Sequence, residues 1–334
     1  MLARIFKYYG YKITFISFLL ASTTALSSCQ ASNTPTNNVK VDERGRNITP
    51  SSGDISPLPP VLDLFACKPA EKAFVAAHRG THEGSEFPEN ALESLQALHA
   101  KGIPFAEIDV ARLRDGTQFL FHDGIWERGS TGKGPIAVTT WDASQHLLLK
   151  DTNGDLTSFR PSAFADVLAW AKDKMYLEID FKSSVDEAKV INSIRAADML
   201  DQVILISYTT EQAVRLHKLA PDAALSVGIF KPSDIKALED LGISANVMTA
   251  WTGRGPLTPK LAGTLRERNI PILAGSFFDL DDKLQASGDS SAYTEYAKLP
   301  DLVVSDYAFD TQPVLEITGE SLRKMEACLA QKGE

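Results

Sequence analysis

The chain has 334 residues, 44% of them hydrophobic and 23% charged, with a net charge of −9, six His and three Cys. This composition excludes a disordered polypeptide, a disulfide-stapled mini-domain and a polytopic membrane protein. The acidic balance argues against nucleic acid or an anionic membrane as an electrostatic partner, since both call for clustered Lys and Arg. The length suits one large α/β domain or two ordinary ones.

The N-terminus carries Arg4, Lys7 and Lys12 and then an apolar stretch from Ile13 to about Ala25. A basic flank followed by a short apolar core is the layout of a secretory signal, and the core is too short for a membrane span of about 20 apolar residues. Leu26-Ser27-Ser28-Cys29 resembles the lipobox of bacterial lipoproteins, which implies cleavage after residue 28 and a lipid on Cys29. Gln30 after that Cys resembles cargo sent to the outer membrane of a diderm envelope. Residues 29–65 are rich in Ser, Thr, Asn and Pro and read as a lipid-anchored flexible tether, leaving 66–334 as the folded domain.

Apolar strand-like runs recur at 74–78, 105–111, 175–181, 203–208, 223–230, 245–251, 270–277 and 302–307, with a short extra run at 117–122. Helical spacing appears at 91–101, 161–173, 186–199, 210–219, 233–241, 257–268 and 290–298, with a last helix at about 311–331. Eight strands alternating with helices over ~260 residues predict a closed parallel (β/α)₈ TIM barrel. A doubly wound open sheet is the alternative, weakened by the absence of a Gly-x-Gly-x-x-Gly after the first strand. Residues 124–160 lack a clear period and read as a loop insertion on the active face.

Reactive groups of such a barrel sit at the C-terminal ends of its strands. The most polar residues of the runs fall there: His78-Arg79, Glu107-Ile108-Asp109, His122-Asp123 and Asp180-Phe181-Lys182. The i, i+2 spacing turns Glu107 and Asp109 to one face. Charges facing a barrel interior are costly unless paired or bound to metal. Glu107, Asp109 and Asp180 from neighbouring strands therefore make a seat for a hard divalent cation, Mg²⁺ or Ca²⁺. Zinc fits less well, since no Cys or His-Glu-x-x-His pattern lies nearby.

Taken in order, His78-Arg79-Gly80, Pro88-Glu89-Asn90, Glu107-x-Asp109-Val110, Asp115-Gly116 with His122-Asp123, and Asp180-x-Lys182 resemble the glycerophosphodiester phosphodiesterase family. Arg128 through Gly134 resembles that family's Arg-x-Thr-x-Gly turn, and Asp301 through Asp306 its closing strand; the similarity runs from about Val75 to Pro313. The resemblance implies a TIM barrel that hydrolyses glycerophosphodiesters to sn-glycerol 3-phosphate and an alcohol. It implies His78 and His122 as the acid/base pair, Arg79 and Lys182 on the phosphate, Glu107, Asp109 and Asp180 on the metal, and Glu89 and Asn90 in support. The chain departs from the pattern in having Asp180 where many relatives have Glu, and in lacking the usual Trp-Thr-Val-Asn at 272–277. A lysophospholipase D or sphingomyelinase D-like enzyme acting on lipids is the alternative, which an apolar groove beside the metal site would favour. A non-catalytic binding lipoprotein ranks last, because every position of the set is filled.

Other patterns lead nowhere. Gly129–Gly134 lacks the P-loop spacing, Asp151–Asp155 begins like a calcium loop but has Ser162 at its twelfth position, and His82 reads as loop decoration. His99 and His217 fall within helices. With Cys29 assigned to the anchor, Cys67 and Cys328 remain at the bottom rim of a barrel, where an extracytoplasmic location predicts a disulfide.

Overall fold

The computed structural model describes residues 57–333; the expected signal peptide, the expected lipidation site Cys29 and most of the expected tether lie outside the described residues. The apolar runs form β1 Phe74–Ala77, β2 Phe105–Arg112, β3 Gln118–Leu120, β4 Tyr176–Phe181, β5 Val203–Ile206, β6 Ala224–Gly228, β7 Met248–Trp251, β8 Ile272–Gly275 and β9 Leu302–Ser305. All but β3 are parallel to their neighbours. Because β9 and β2 both pair with β1, eight strands close into a (β/α)₈ barrel. β3 folds back antiparallel on β2 through a turn in which Gly116 takes φ +92°, a backbone region that favours glycine.

Helices wrap the outside between the strands, including Leu92–Ala100, Phe164–Ala171, Glu187–Ala196 and Thr210–Leu219. Their starts carry the expected signals: the Asp186 carboxylate accepts from the Ala188 N–H and the Thr209 hydroxyl from that of Gln212. Residues 290–298, expected as one helix, are the second of a pair, Asp279–Ser287 and Ser291–Tyr296, parted by Gly288 in the left-handed conformation. The last expected helix is likewise two, Ala308–Leu315 and Gly319–Lys332, with residues 316–318 outside either.

Alternation fills the barrel interior in two tiers. Near the floor, Phe105, Tyr176, Ile204, Ala224, Leu273 and Leu302 meet in one apolar cluster, with the Phe105 and Tyr176 rings stacked at 4.7 Å. One strand repeat higher, the same inward face carries Glu107, Glu178 and Ser226. Ala73, Val75, Ile108, Ile179 and the helix stripes make the separate outer core between sheet and helices.

The expected domain boundary at residue 66 moves upstream. Val61–Cys67 is a helix whose Val61, Leu64 and Phe65, at i, i+3 and i+4, are buried against the barrel floor. The Phe65 ring stacks on Phe105 at 5.7 Å, and the Tyr176 hydroxyl donates to the Pro59 carbonyl at 2.7 Å. The polar composition of the preceding segment masks this short apolar stripe. Cys67 is joined by a disulfide to Cys328 of the last helix, with Cα atoms 5.6 Å apart, and Lys332 pairs with Asp63 at 2.7 Å. Among the described residues no helix is long and apolar enough to cross a membrane.

Candidate active site

β1 ends in an unusual backbone. His78–Gly80 form a single 3₁₀ turn in which Arg79 takes φ 53°, ψ 26°, followed by Gly80 at φ +60°. A Cβ at Gly80 would meet Leu95 Cδ2 at 2.8 Å, so the positive φ and this close approach both favour glycine there. The turn aims the Arg79 N–H at Glu107 Oε2, 2.8 Å away, and directs the His78 ring into the barrel mouth. His78 Nδ1 donates to Asp306 Oδ1 at 2.7 Å, and its ring stacks on Phe277 at 4.4 Å. Asp306, just beyond β9, is held by its own N–H on Asp281 Oδ2 at 2.8 Å. Asp281 is wholly buried, also accepts from the Ser305 hydroxyl, and burial pushes its carboxyl up to about 6.

His122, reached through the β2–β3 hairpin, has the same kind of partner: its Nδ1 donates to Asp123 Oδ1 at 2.8 Å. Asp123 Oδ2 accepts from Arg128 Nε at 2.6 Å, and Arg128 forks onto Glu89 at 2.9 and 2.6 Å. Glu89 also takes Arg79 Nη1 at 3.0 Å. Burial works against ionising Glu89, but Arg128 and Arg79 outweigh it and hold its carboxyl below the ordinary range. Glu89 thus links the two strand ends that carry the histidines.

Three buried carboxylates lie beneath. Glu107, Asp109 and Asp180 each offer an oxygen within 4.8 Å of the others, a group among the described residues that could hold a metal ion. Asn90, at φ 56°, clamps Asp109 twice, donating from Nδ2 to Oδ2 at 2.6 Å and accepting the Asp109 N–H at 2.8 Å. Burial, with Asp109 and Asp180 adding to it, pushes the Glu107 carboxyl well above its ordinary value. Asp180 is raised too, chiefly by burial, whereas Lys182 holds Asp109 low against its own burial. Asp180 Oδ1 is buried and finds no hydrogen-bond partner among the described residues. Crowded buried oxygens with one orphan fit a divalent cation, which would satisfy the orphan and relieve the repulsion.

Lys182, expected on phosphate, bridges two of these acids: Nζ lies 2.5 Å from Asp109 Oδ1 and 2.6 Å from Asp180 Oδ2. Tyr208, not anticipated, donates its hydroxyl to Asp180 Oδ2 at 2.9 Å. Arg79 Nε is buried without a hydrogen-bond partner among the described residues, a donor suited to an anion. The rest of the cavity, about 330 Å³, is lined by Ile206, Tyr208, Phe230, Trp251 and Phe277 among others. Phe277, at the end of the stretch that lacks the usual Trp-Thr-Val-Asn, is part of this lining, and Arg254 lies 5.3 Å over its ring.

The remaining histidines stay outside the cavity. His82 packs on Phe309 at 4.4 Å and accepts its N–H, and His99 sits edge-on to Trp170. Asp151 Oδ1 accepts from Asn153 and Asp155 N–H groups in a polar turn. The residues that were not anticipated are Asp306, Asp281, Tyr208 and Glu178. The first lay in the closing-strand motif, and Glu178 in a second Glu-Ile-Asp identical to that of β2.

Fold and site together define a closed (β/α)₈ barrel with two Asp-backed histidines and a buried acid cluster at the C-terminal ends of its strands. The chain belongs to the glycerophosphoryl diester phosphodiesterase family, whose model matches residues 78–292. A glycerophosphodiester phosphodiesterase of Caldanaerobacter subterraneus subsp. tengcongensis is 26% identical over 165 residues, 47% of this chain and 66% of that protein. The chain spans just under two thirds of the length of the first curated relatives it matches. A glycerophosphoryl diester phosphodiesterase structure from Parabacteroides distasonis superposes with a TM-score of 0.70 at 22% identity, covering 78% of this chain and 95% of the other. A phosphodiesterase of Oleispira antarctica, solved in complex with the product sn-glycerol-3-phosphate, gives 0.57 at 21% identity, covering 73% and 97%.

Proposed function

We propose that the chain hydrolyses glycerophosphodiesters to sn-glycerol 3-phosphate and an alcohol by acid–base catalysis from His78 and His122. The observation that carries this reading is the pair of carboxylate-backed imidazoles, His78–Asp306 and His122–Asp123, opening on one cavity beside the acid cluster. With Nδ1 donating to an Asp, each ring presents Nε2 as the free nitrogen. One accepts a proton from the attacking water as its oxygen bonds to phosphorus; the other, protonated, delivers a proton to the leaving alkoxide as its P–O bond breaks. Arg79 and the protonated Lys182 bring positive charge to the phosphate. Burial works against that charge on Lys182, but Asp109 and Asp180 raise its pKa. Glu107, Asp109 and Asp180 would hold Mg²⁺ or Ca²⁺, which when bound neutralises the phosphate charge that otherwise repels the nucleophile.

The product-bound relative from Oleispira antarctica supports the glycerol 3-phosphate half of this reading. The aromatic wall of the cavity favours a second substrate class, lysophospholipids, whose apolar acylglycerol half it suits. The Cys67–Cys328 disulfide accords with an oxidising compartment, and with the lipobox-like Cys29 it supports an extracytoplasmic protein held in the cell envelope by lipid. Glycerophosphocholine, a panel of related diesters and lysolipids, and release of glycerol 3-phosphate provide the assay. His78→Ala and His122→Ala should abolish release with the fold intact, and excess chelator should do the same to the wild type. Full activity in either variant or in chelator refutes the mechanism.

A further inference from the structure

One short segment holds the His78 ring at two points. After β8 the chain turns through Ser276, Phe277 and Phe278 into the helix Asp279–Ser287. The Leu280 and Asp281 N–H groups close the turn by donating to the Ser276 carbonyl at 3.1 and 3.0 Å. Within it Phe278 takes φ 69°, ψ −63°, a backbone conformation that is costly for a residue with a side chain. Phe277 lies against the His78 ring at 4.4 Å, with 12° between the planes. Asp281 reaches the residue that holds Nδ1 of the same ring.

A carboxyl is a costly choice at position 281. It is wholly buried, and among the described residues no Lys, Arg or His acts on it. An apolar side chain would fill the space without that cost. What its oxygens hold is the end of β9. Oδ2 accepts the Asp306 N–H at 2.8 Å, and Oδ1 and Oδ2 accept the Ser305 hydroxyl at 3.0 and 3.2 Å. The Ser305 oxygen in turn accepts the Tyr307 N–H at 3.0 Å. The Asp306 carbonyl is held separately, by the Glu83 N–H at 2.7 Å. With its N–H and its C=O both engaged, the Asp306 backbone has little freedom to turn, and its carboxylate stays 2.7 Å from His78 Nδ1.

We propose that Asp281 is a positioning residue for His78, acting through Asp306 to set the direction of the imidazole in the barrel mouth. This rests on the reading of His78 as one of the acid–base pair. Asp281 does not line the cavity, so its removal deletes no contact to substrate. A misplacement of about 1 Å at a reacting group can cost ~10²-fold in rate, and Asp281 stands two hydrogen bonds from the imidazole.

The test is steady-state kinetics on glycerophosphocholine, with melting temperature as the folding control, for Asp281→Ala alone and combined with Asp306→Asn. Asp281→Ala should lower kcat about ten- to hundredfold with KM within about twofold of wild type. Asp281→Asn, which keeps an oxygen for the Asp306 N–H, should hold kcat within about threefold of wild type. In the Asp306→Asn background the further loss from Asp281→Ala should shrink below about threefold, because the path it acts through is already broken. Should Asp281→Ala not fold, Asp281→Val fills the space without an acceptor and carries the same expectations. The assignment is overturned by a folded Asp281→Ala with kcat within about threefold of wild type, by an equal loss in both backgrounds, or by an Asp281→Asn as slow as Asp281→Ala. Full activity in His78→Ala overturns the acid–base reading and the positioning together. An inactive His78→Ala beside an unaltered Asp281→Ala overturns the positioning alone.

Discussion

Asp306→Asn probes the hydrogen bond that fixes the His78 ring. In the wild type an acceptor-only carboxylate 2.7 Å from Nδ1 fixes the proton on that nitrogen and leaves Nε2 free toward the cavity. Hydrogen bonds to a charged group are worth about 1.5–3 kcal/mol, which corresponds to roughly 10- to 150-fold in rate. An amide can also turn its NH₂ toward Nδ1 and stabilise the wrong tautomer, and in the serine-protease triad the equivalent change costs about 10⁴-fold. The expected loss of kcat is therefore between about 10- and 10⁴-fold. Asp306 holds its place through its main-chain N–H on Asp281, which the substitution keeps, so folding should be unaffected. KM should change little, because the ring stays stacked on Phe277. Steady-state kinetics on glycerophosphocholine, with melting temperature as the folding control, separate these effects. A kcat within about threefold of wild type, with the fold intact, would show that Asp306 does not position His78.

Two further expectations concern stability. Asp281 titrates at about 6 in the fold against 3.8 ordinarily, so its stabilising contribution is complete below pH 3.8 and is lost as pH rises through 6. Relative to Asp281→Asn, the wild type should therefore lose about 2 kcal/mol of urea stability between pH 4 and pH 7, and a pH-independent difference contradicts the assignment. Cys67 and Cys328 lie 261 residues apart, for which loop-closure entropy gives about 5 kcal/mol. The double Cys→Ser variant should lose most of that in urea unfolding while retaining kcat, since the bond lies at the floor; a loss under about 1 kcal/mol refutes the estimate.

How much of this was legible before the fold depended on distance along the chain. Glu107 and Asp109 could be placed on one face because the two-residue period is local. His122 and Lys182 stood out as charges at strand ends. Asp306 did not, since its meeting with His78 comes from β9 closing on β1 across 228 residues. Lys182 was readable as a cation near phosphate, but its grip on Asp109 required the register of β2 against β4. Glu178 was passed over because its spacing from Asp180 is that of any inward strand residue, and only its lack of a partner distinguishes it. The helix at Val61–Cys67 was hidden by the prolines just before it, while its stripe of three apolar residues acquires meaning only against a barrel floor.

The cavity is split along the barrel's circumference. β1, β2, the β3 hairpin, β4 and the end of β9 carry the histidines, their Asp partners and the acid cluster; the ends of β5 to β8 carry Tyr208, Phe230, Trp251 and Phe277. The arcs are tied by the Tyr208–Asp180 hydrogen bond, by the stack of Phe277 on His78, and by Asp281, four residues past Phe277, which holds Asp306. The Phe230 and Trp251 side chains enter none of these ties, so substitutions there should reshape the cavity without disturbing the ion pairs of the first arc. On the proposed reading, the residues that would select the leaving alcohol and those that would break its bond therefore sit largely on different loops and can be varied apart.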